Sequence, residues 1–167
     1  TTLRTLAFAL VLTSAGSCSR AFALGGFPVW TNVFSRGASG LDDLPATVAI
    51  DTNGNVFVTG SSDSTNGYSD FATLAFSRSG VCLWTNIYNS TNDYEDWASD
   101  LALDSAGNIF VSGITSLTGN STFAFITFKY SNSGVPIWTN VFKPSVNGGE
   151  SAKKIAVDSN DDAIVTG

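Results

Sequence analysis

The sequence contains no histidine, which removes Ser-His-Asp chemistry and histidine-ligated metals from these 167 residues. It contains no methionine either, and it stops at Thr166-Gly167 inside a repeat described below, so a piece of a longer reading frame is expected. Charge is scarce at 13%, and its balance of −6 has the wrong sign for a nucleic-acid binder, which needs clustered Lys and Arg. There is no G-x-S-x-G elbow and no phosphate-binding glycine loop. Acidic neighbours such as Glu95 and Asp96 have no surrounding motif that marks them as an acid and a base. No catalytic residue, metal ligand or cofactor is therefore assigned.

What is abundant points one way. The chain is 43% hydrophobic, with 16 Gly, 12 Phe and 4 Trp, and its apolar runs are short and separated by Gly, Ser, Thr and Asn. That composition predicts an all-β protein with many turns. The exception is the start. Arg4, the apolar run Leu6–Leu12 and the Ala21-Phe22-Ala23 triplet follow the order of a secretory signal, so residues 1–23 are predicted to be a signal peptide. The run is too short for a permanent span of about 20 residues, and an integral membrane protein is not expected. Lipidation at Cys18 is the second reading, because the usual aliphatic residue three positions earlier is missing. Cleavage after Ala23 leaves Cys82 as the one thiol, predicted to be a small buried apolar side chain rather than a nucleophile.

Residues 24–167 are organised by a repeat of about 54 residues. Trp30-Thr31-Asn32-Val33-Phe34 recurs as Trp84-Thr85-Asn86-Ile87-Tyr88 and as Trp138-Thr139-Asn140-Val141-Phe142. Val48-Ala49-Ile50-Asp51 recurs at Leu101–Asp104 and Ile155–Asp158, and Val56–Gly60 recurs at Ile109–Gly113 and Ala163–Gly167. Each block is rich in β-branched and aromatic residues and bounded by turn residues. Gly54 and Gly107 are expected at positive φ in the connecting hairpins, with Asp161 as a strained substitute in the third copy.

Four antiparallel strands per repeat is the arithmetic of a β-propeller blade. The predicted strands are 46–51, 55–60, 70–76 and 81–88 in one blade (46–88), and 98–104, 108–113, 123–130 and 135–142 in the next (98–142). Residues 27–34 form an extra outer strand and 151–167 half a blade, about two and a half blades of an incomplete propeller, with further blades expected. Such a partial ring leaves apolar flanks and open strand edges.

The pattern Asp-x-x-Gly-Asn-(Ile/Val)-Phe-Val-(Thr/Ser)-Gly, followed by an apolar strand, Ser-x-Ser-Gly and a Trp strand, resembles the SBBP-type bacterial β-propeller repeats from about Phe27 to Gly167. The resemblance implies an exported, often surface-associated propeller without a known catalytic role, and it brings no catalytic residues with it.

An acidic position recurs eight residues before the repeated Asp, as Asp43, Asp96 and Glu150 before Asp51, Asp104 and Asp158. A cation-holding rim is one reading. The favoured reading is that each carboxylate accepts backbone N–H bonds in its own loop. Trp30, Trp84 and Trp138 are read as fillers between blades, and Gly60, Gly113 and Gly167 as repeated structural positions. Trp97 occurs once, beside Asp96 in what reads as a loop, with Tyr94 near it; these three are the candidate ligand contacts. Asn89 and Asn120 head sequon-like triplets of weak specificity. The expected function is a secreted or surface scaffold binding a protein or glycan partner. The alternative is part of a propeller enzyme of quinoprotein-dehydrogenase type, with its catalytic residues in other blades.

Overall fold

The computed structural model describes residues 30–36, 42–91, 93–117, 122–143 and 151–167, and no helix occurs among them. The predicted signal peptide, Cys18, Asn120 and Glu150 lie outside the described residues. Strands β1 (Asp43–Ile50), β2 (Val56–Asp63), β3 (Ser69–Phe76) and β4 (Cys82–Tyr88) pair antiparallel in chain order as a first blade. Strands β5 (Asp96–Leu103), β6 (Ile109–Ser116), β7 (Phe123–Tyr130) and β8 (Pro136–Phe142) repeat the order as a second. The hairpin of β9 (Lys154–Val157) and β10 (Ala163–Thr166) follows.

The two innermost strands of each blade are longer than the apolar blocks suggest. Ser61-Ser62-Asp63 continues β2 because Leu44 and Asp43 lie opposite Ser61 and Ser62 and complete the ladder. The inner strands carry a bulge, between Pro45 and Thr47 in β1 and between Ala98 and Asp100 in β5. A glycine faces each bulge. A Cβ on Gly60 would lie 2.1 Å from the Leu44 carbonyl oxygen, and one on Gly113 would lie 2.0 Å from that of Trp97 and 2.5 Å from Phe71. These positions are bare because a neighbouring backbone, and in the second case an aromatic ring from the preceding blade, occupies the space.

β2, β3 and β6 are buried on both faces, which is why their apolar residues do not alternate with polar ones as on a half-exposed sheet. One face of the first blade presents Phe57, Phe71 and Ala75 to Ala98, Leu101, Ile109, Val111, Ile126, Phe128 and Tyr130 of the second. The opposite face holds Val56, Val58, Ala72, Leu74 and Phe76, covered by Trp30, Phe34 and Ile87. Inner hairpins turn through Gly54 (φ 83°) and Gly107 (φ 78°), and Asp161 takes the same left-handed conformation at φ 65°.

Blades are latched by side chains that reach main-chain carbonyls. Trp84 Nε1 donates to Asn132 O at 2.9 Å and Asn86 Nδ2 to Gly134 O at 2.8 Å, both in the outer turn of the second blade. Residues 30–36 do the same to the first blade: Trp30 Nε1 donates to Arg78 O at 3.0 Å and Asn32 Nδ2 to Gly80 O. The described part of the predicted 27–34 strand joins no ladder; it is held by these side-chain bonds. Gly80 and Gly134 have positive φ, and a Cβ on either would fall 2.6 Å from the latching indole. The turn must be glycine both for its conformation and for the ring that lies on it.

The expectation for the thiol also fails. Cys82 is exposed, not buried. It opens the outer strand β4 beside a register shift at Ala75/Phe76, where no layer covers it.

Candidate functional site

The repeated acidic residues divide into two groups. Asp51 Oδ1 accepts the N–H groups of Asn53 (2.9 Å) and Asn55 (2.8 Å), and its Oδ2 accepts Asn55 Nδ2. Asp104 does the same with Ala106, Asn108 and the Asn108 amide, and adds an ion pair to Lys129 at 3.0 Å. Asp158 accepts from Asn160 and Asp162. Burial pushes the Asp51 and Asp104 carboxyls upward, but the summed hydrogen bonds, with Lys129 in the case of Asp104, outweigh it and hold both below their usual value. Exposed Asp158 is held low mainly by the Asp162 and Asn160 N–H groups. These carboxylates build turns, and their acceptor capacity is used locally.

Asp96 and Asp43 differ from them because both sit on strands. Asp96 is fully buried, and its Oδ2 accepts the Ser90 N–H at 2.6 Å while Oδ1 has no partner. Burial raises its pKa above the usual value, hydrogen bonds from Thr115 and Ser90 partly offset that, and the Asp70 charge adds to the rise. Asp43 is half-buried with an unpartnered Oδ1.

The candidate contacts gather at the rim where β5 begins. Trp97 does not lie in a loop: it is the second residue of β5, opposite Ile114, and so is Asp96 a strand residue, opposite Thr115. The two side chains therefore leave the sheet on opposite faces, Asp96 inward against the first blade and Trp97 outward. Trp97 is 40% exposed and stacks on Phe123, with centroids 6.2 Å apart and planes inclined by 20°. Tyr94 is in the preceding loop and meets Tyr68 edge-on at 5.2 Å. Between them Glu95 Oε2 accepts the Ser69 N–H at 3.1 Å, tying the rim of one blade to the other. Nearby, exposed Asn89 donates to Asp93, itself at φ 56°. Tyr68, Phe123 and Glu95 were not singled out from sequence; the register of β3, β5 and β7 brings them to Tyr94 and Trp97.

The repeated tryptophans have unequal surroundings. Trp84 lies between Phe57 (6.0 Å) and Tyr130 (6.2 Å) at the interface of the two blades. Trp30 meets Phe76 at 5.8 Å and borders a groove of about 330 Å³ with Val48, Ile50, Val56 and Val58. Trp138 touches Phe110 but is 39% exposed above a second groove of about 280 Å³ lined by Phe125, Phe142, Ala163 and Val165. Burial raises the pKa of Tyr130 to about 12, with the neighbouring Tyr88 adding to the rise. Among the described residues no three His, Cys, Asp or Glu side chains converge as metal ligands, and no helix is long and apolar enough to cross a membrane.

Four-stranded antiparallel sheets, stacked face to face and latched turn to strand, are blades of a β-propeller. Residues 37–68 match the family model of the SBBP beta-propeller repeat. The match covers one copy of the repeat, and the blocks of that copy recur along the chain as far as Gly167. No curated protein matches it.

Proposed function

We propose that this chain belongs to an exported bacterial propeller that acts as a non-catalytic binding scaffold, with its ligand contacts on the rim formed by Tyr94, Trp97 and their neighbours. The reading is carried by the stacked Trp97–Phe123 pair, which leaves a large aromatic surface in solvent at a rim that also offers Tyr94 and Asn89. Aromatic faces beside amides and carboxylates suit a glycan, where C–H groups pack on rings while hydroxyls find acceptors. A protein partner would use the same aromatic anchors. The sequence contains no histidine, and the repeated carboxylates Asp51, Asp104 and Asp158 are committed to turn geometry, which favours binding over catalysis.

Screening the purified chain on a glycan array, then repeating the positive spots with Trp97→Ala, tests the site. A loss of about 2 kcal/mol, close to thirtyfold in affinity, is expected for a central aromatic anchor. Unchanged binding by Trp97→Ala and Tyr94→Ala would remove the rim from the account. Export is tested by expression in a bacterial host, where cleavage after Ala23 should place the chain outside the cytoplasm.

A further inference from the structure

The face of the first blade that turns away from the second carries a row of oxygens without donors. Asp43 on β1 lies opposite Ser62 on β2, and Ser62 lies opposite Asp70 on β3. Cross-strand neighbours project from the same side of a sheet, so the three side chains stand in line across three strands. Ser62 and Asp70 are fully buried. Asp43 Oδ1, Ser62 Oγ and Asp70 Oδ1 are each buried and without a hydrogen-bond partner. The other Asp70 oxygen receives Arg36 Nη1 at 2.6 Å, which sets one positive charge against two carboxylates.

This row cannot satisfy itself. Ionised carboxylates only accept, and a serine hydroxyl has one proton to give, so at least one buried carboxylate oxygen stays bare. Strand spacing of about 4.8 Å puts the outer two Cα atoms roughly 10 Å apart on either side of Ser62. An ion held between them would need its oxygens at about 2.4 Å, within reach of two aspartates flanking a serine. The second blade has Asp96, Thr115 and Ala124 in the corresponding row. There Ala124 removes the second carboxylate, and Asp96 keeps the Ser90 N–H. The row with two carboxylates is therefore a property of the first blade, not of the repeat.

We propose that Asp43, Ser62 and Asp70 are the protein ligands of a hard divalent cation, calcium by the chemistry of their oxygens. All three donors are oxygen, and no thiol or imidazole is present to favour zinc or copper. A bound ion would fix the inner three strands of the blade to one another at the end where β1 begins.

The test is calcium chloride titrated into the metal-stripped chain, by isothermal titration calorimetry, with thermal melting by circular dichroism in parallel. One calcium per chain and a melting temperature that climbs with calcium are expected. Asp43→Asn, at a half-buried position, should weaken binding by at least about tenfold, since affinity follows ligand charge. Ser62→Ala should weaken it less, and Asp158→Asn in the exposed turn should leave it unchanged. If Asp70→Asn does not fold, Asp43→Asn and Ser62→Ala carry the test. Absence of both calcium heat and a melting shift overturns the proposal, as does binding that neither of these variants reduces.

Discussion

The two complete blades have the same strand order, the same register and bulges at the same places, yet their matching strands are buried to different extents. In β4 the Trp84-Thr85-Asn86-Ile87-Tyr88 run is mostly half-buried, whereas every residue of β8, with nearly the same sequence, is exposed. The inner strands invert the contrast: β1 is largely exposed, while β5 buries Asp96, Ala98, Asp100 and Leu101. What differs is the neighbour. β5 packs against the first blade on one side and β9 on the other, and β4 reaches the second blade through Trp84 and Tyr88. By contrast, β1 has a neighbouring blade on one face only, and β8 borders only the short β9–β10 hairpin across an open groove. In a stacked repeat, burial belongs to the interface, and a blade's own sequence fixes only its pairing.

That contrast can be broken by mutation. Trp84→Ala should cost about 3 kcal/mol in urea unfolding, and Trp138→Ala less than about 1 kcal/mol, because only the first empties a packed junction. Equal losses would show that the blades are stabilised within themselves. Gly113→Ala should cost about 2–3 kcal/mol, since its new methyl meets the Trp97 carbonyl and the Phe71 ring. Gly107→Ala, with positive φ but only the Asn132 amide at 3.2 Å, should cost about 1 kcal/mol. Asp104→Ala should lose about 2 kcal/mol by removing the acceptor of two backbone N–H groups and the partner of Lys129. The same change at exposed Asp158 should lose less.

The smallest effect is in pH. Asp51 and Asp104 titrate below 3.8, so their contribution is complete above that value and disappears as pH falls through their lowered pKa. Asp96 has the opposite sign. Its pKa is raised in the fold, so the penalty of its charge grows as pH rises from 3.8 through the raised value, and is absent below. Asp96→Asn should therefore melt higher than the parent at pH 7 and no higher near pH 3.5. A variant that is less stable at neutral pH would show that the Asp96 charge is wanted.

Much of the fold was legible in the sequence because the repeat forces it. A tryptophan every 54 residues fixes the blade length, and Asp-x-x-Gly-Asn specifies the turn down to the sign of φ. The misreadings share a cause. Trp97 looked like a loop residue and Ser61-Ser62-Asp63 like the end of a strand because polar neighbours interrupt the apolar pattern; the ladder continues there since backbone pairing does not require apolar side chains. Cys82 looked buried among Val81, Leu83 and Trp84, but an outer strand is apolar for the sake of an adjoining blade, not of its own core. The Asp43–Ser62–Asp70 row was invisible because its members are 19 and 8 residues apart and meet only through register. The acidic series itself was legible, but one rule was applied to two kinds of position, turn and strand.

The latch between blades joins an indole and an amide to carbonyls of a turn. The acceptor of the indole is Arg78 in one blade and Asn132 in the next, residues with nothing chemically in common, and the bond is the same. Because the receiving group is main chain, the side chain at that position of the turn is free to drift without loosening the joint, so long as the glycine under the indole is kept. A unit duplicated in frame brings both halves of the connector, plug at one end and socket at the other. Lengthening such a protein by copying would demand no compensating change in the blades already present.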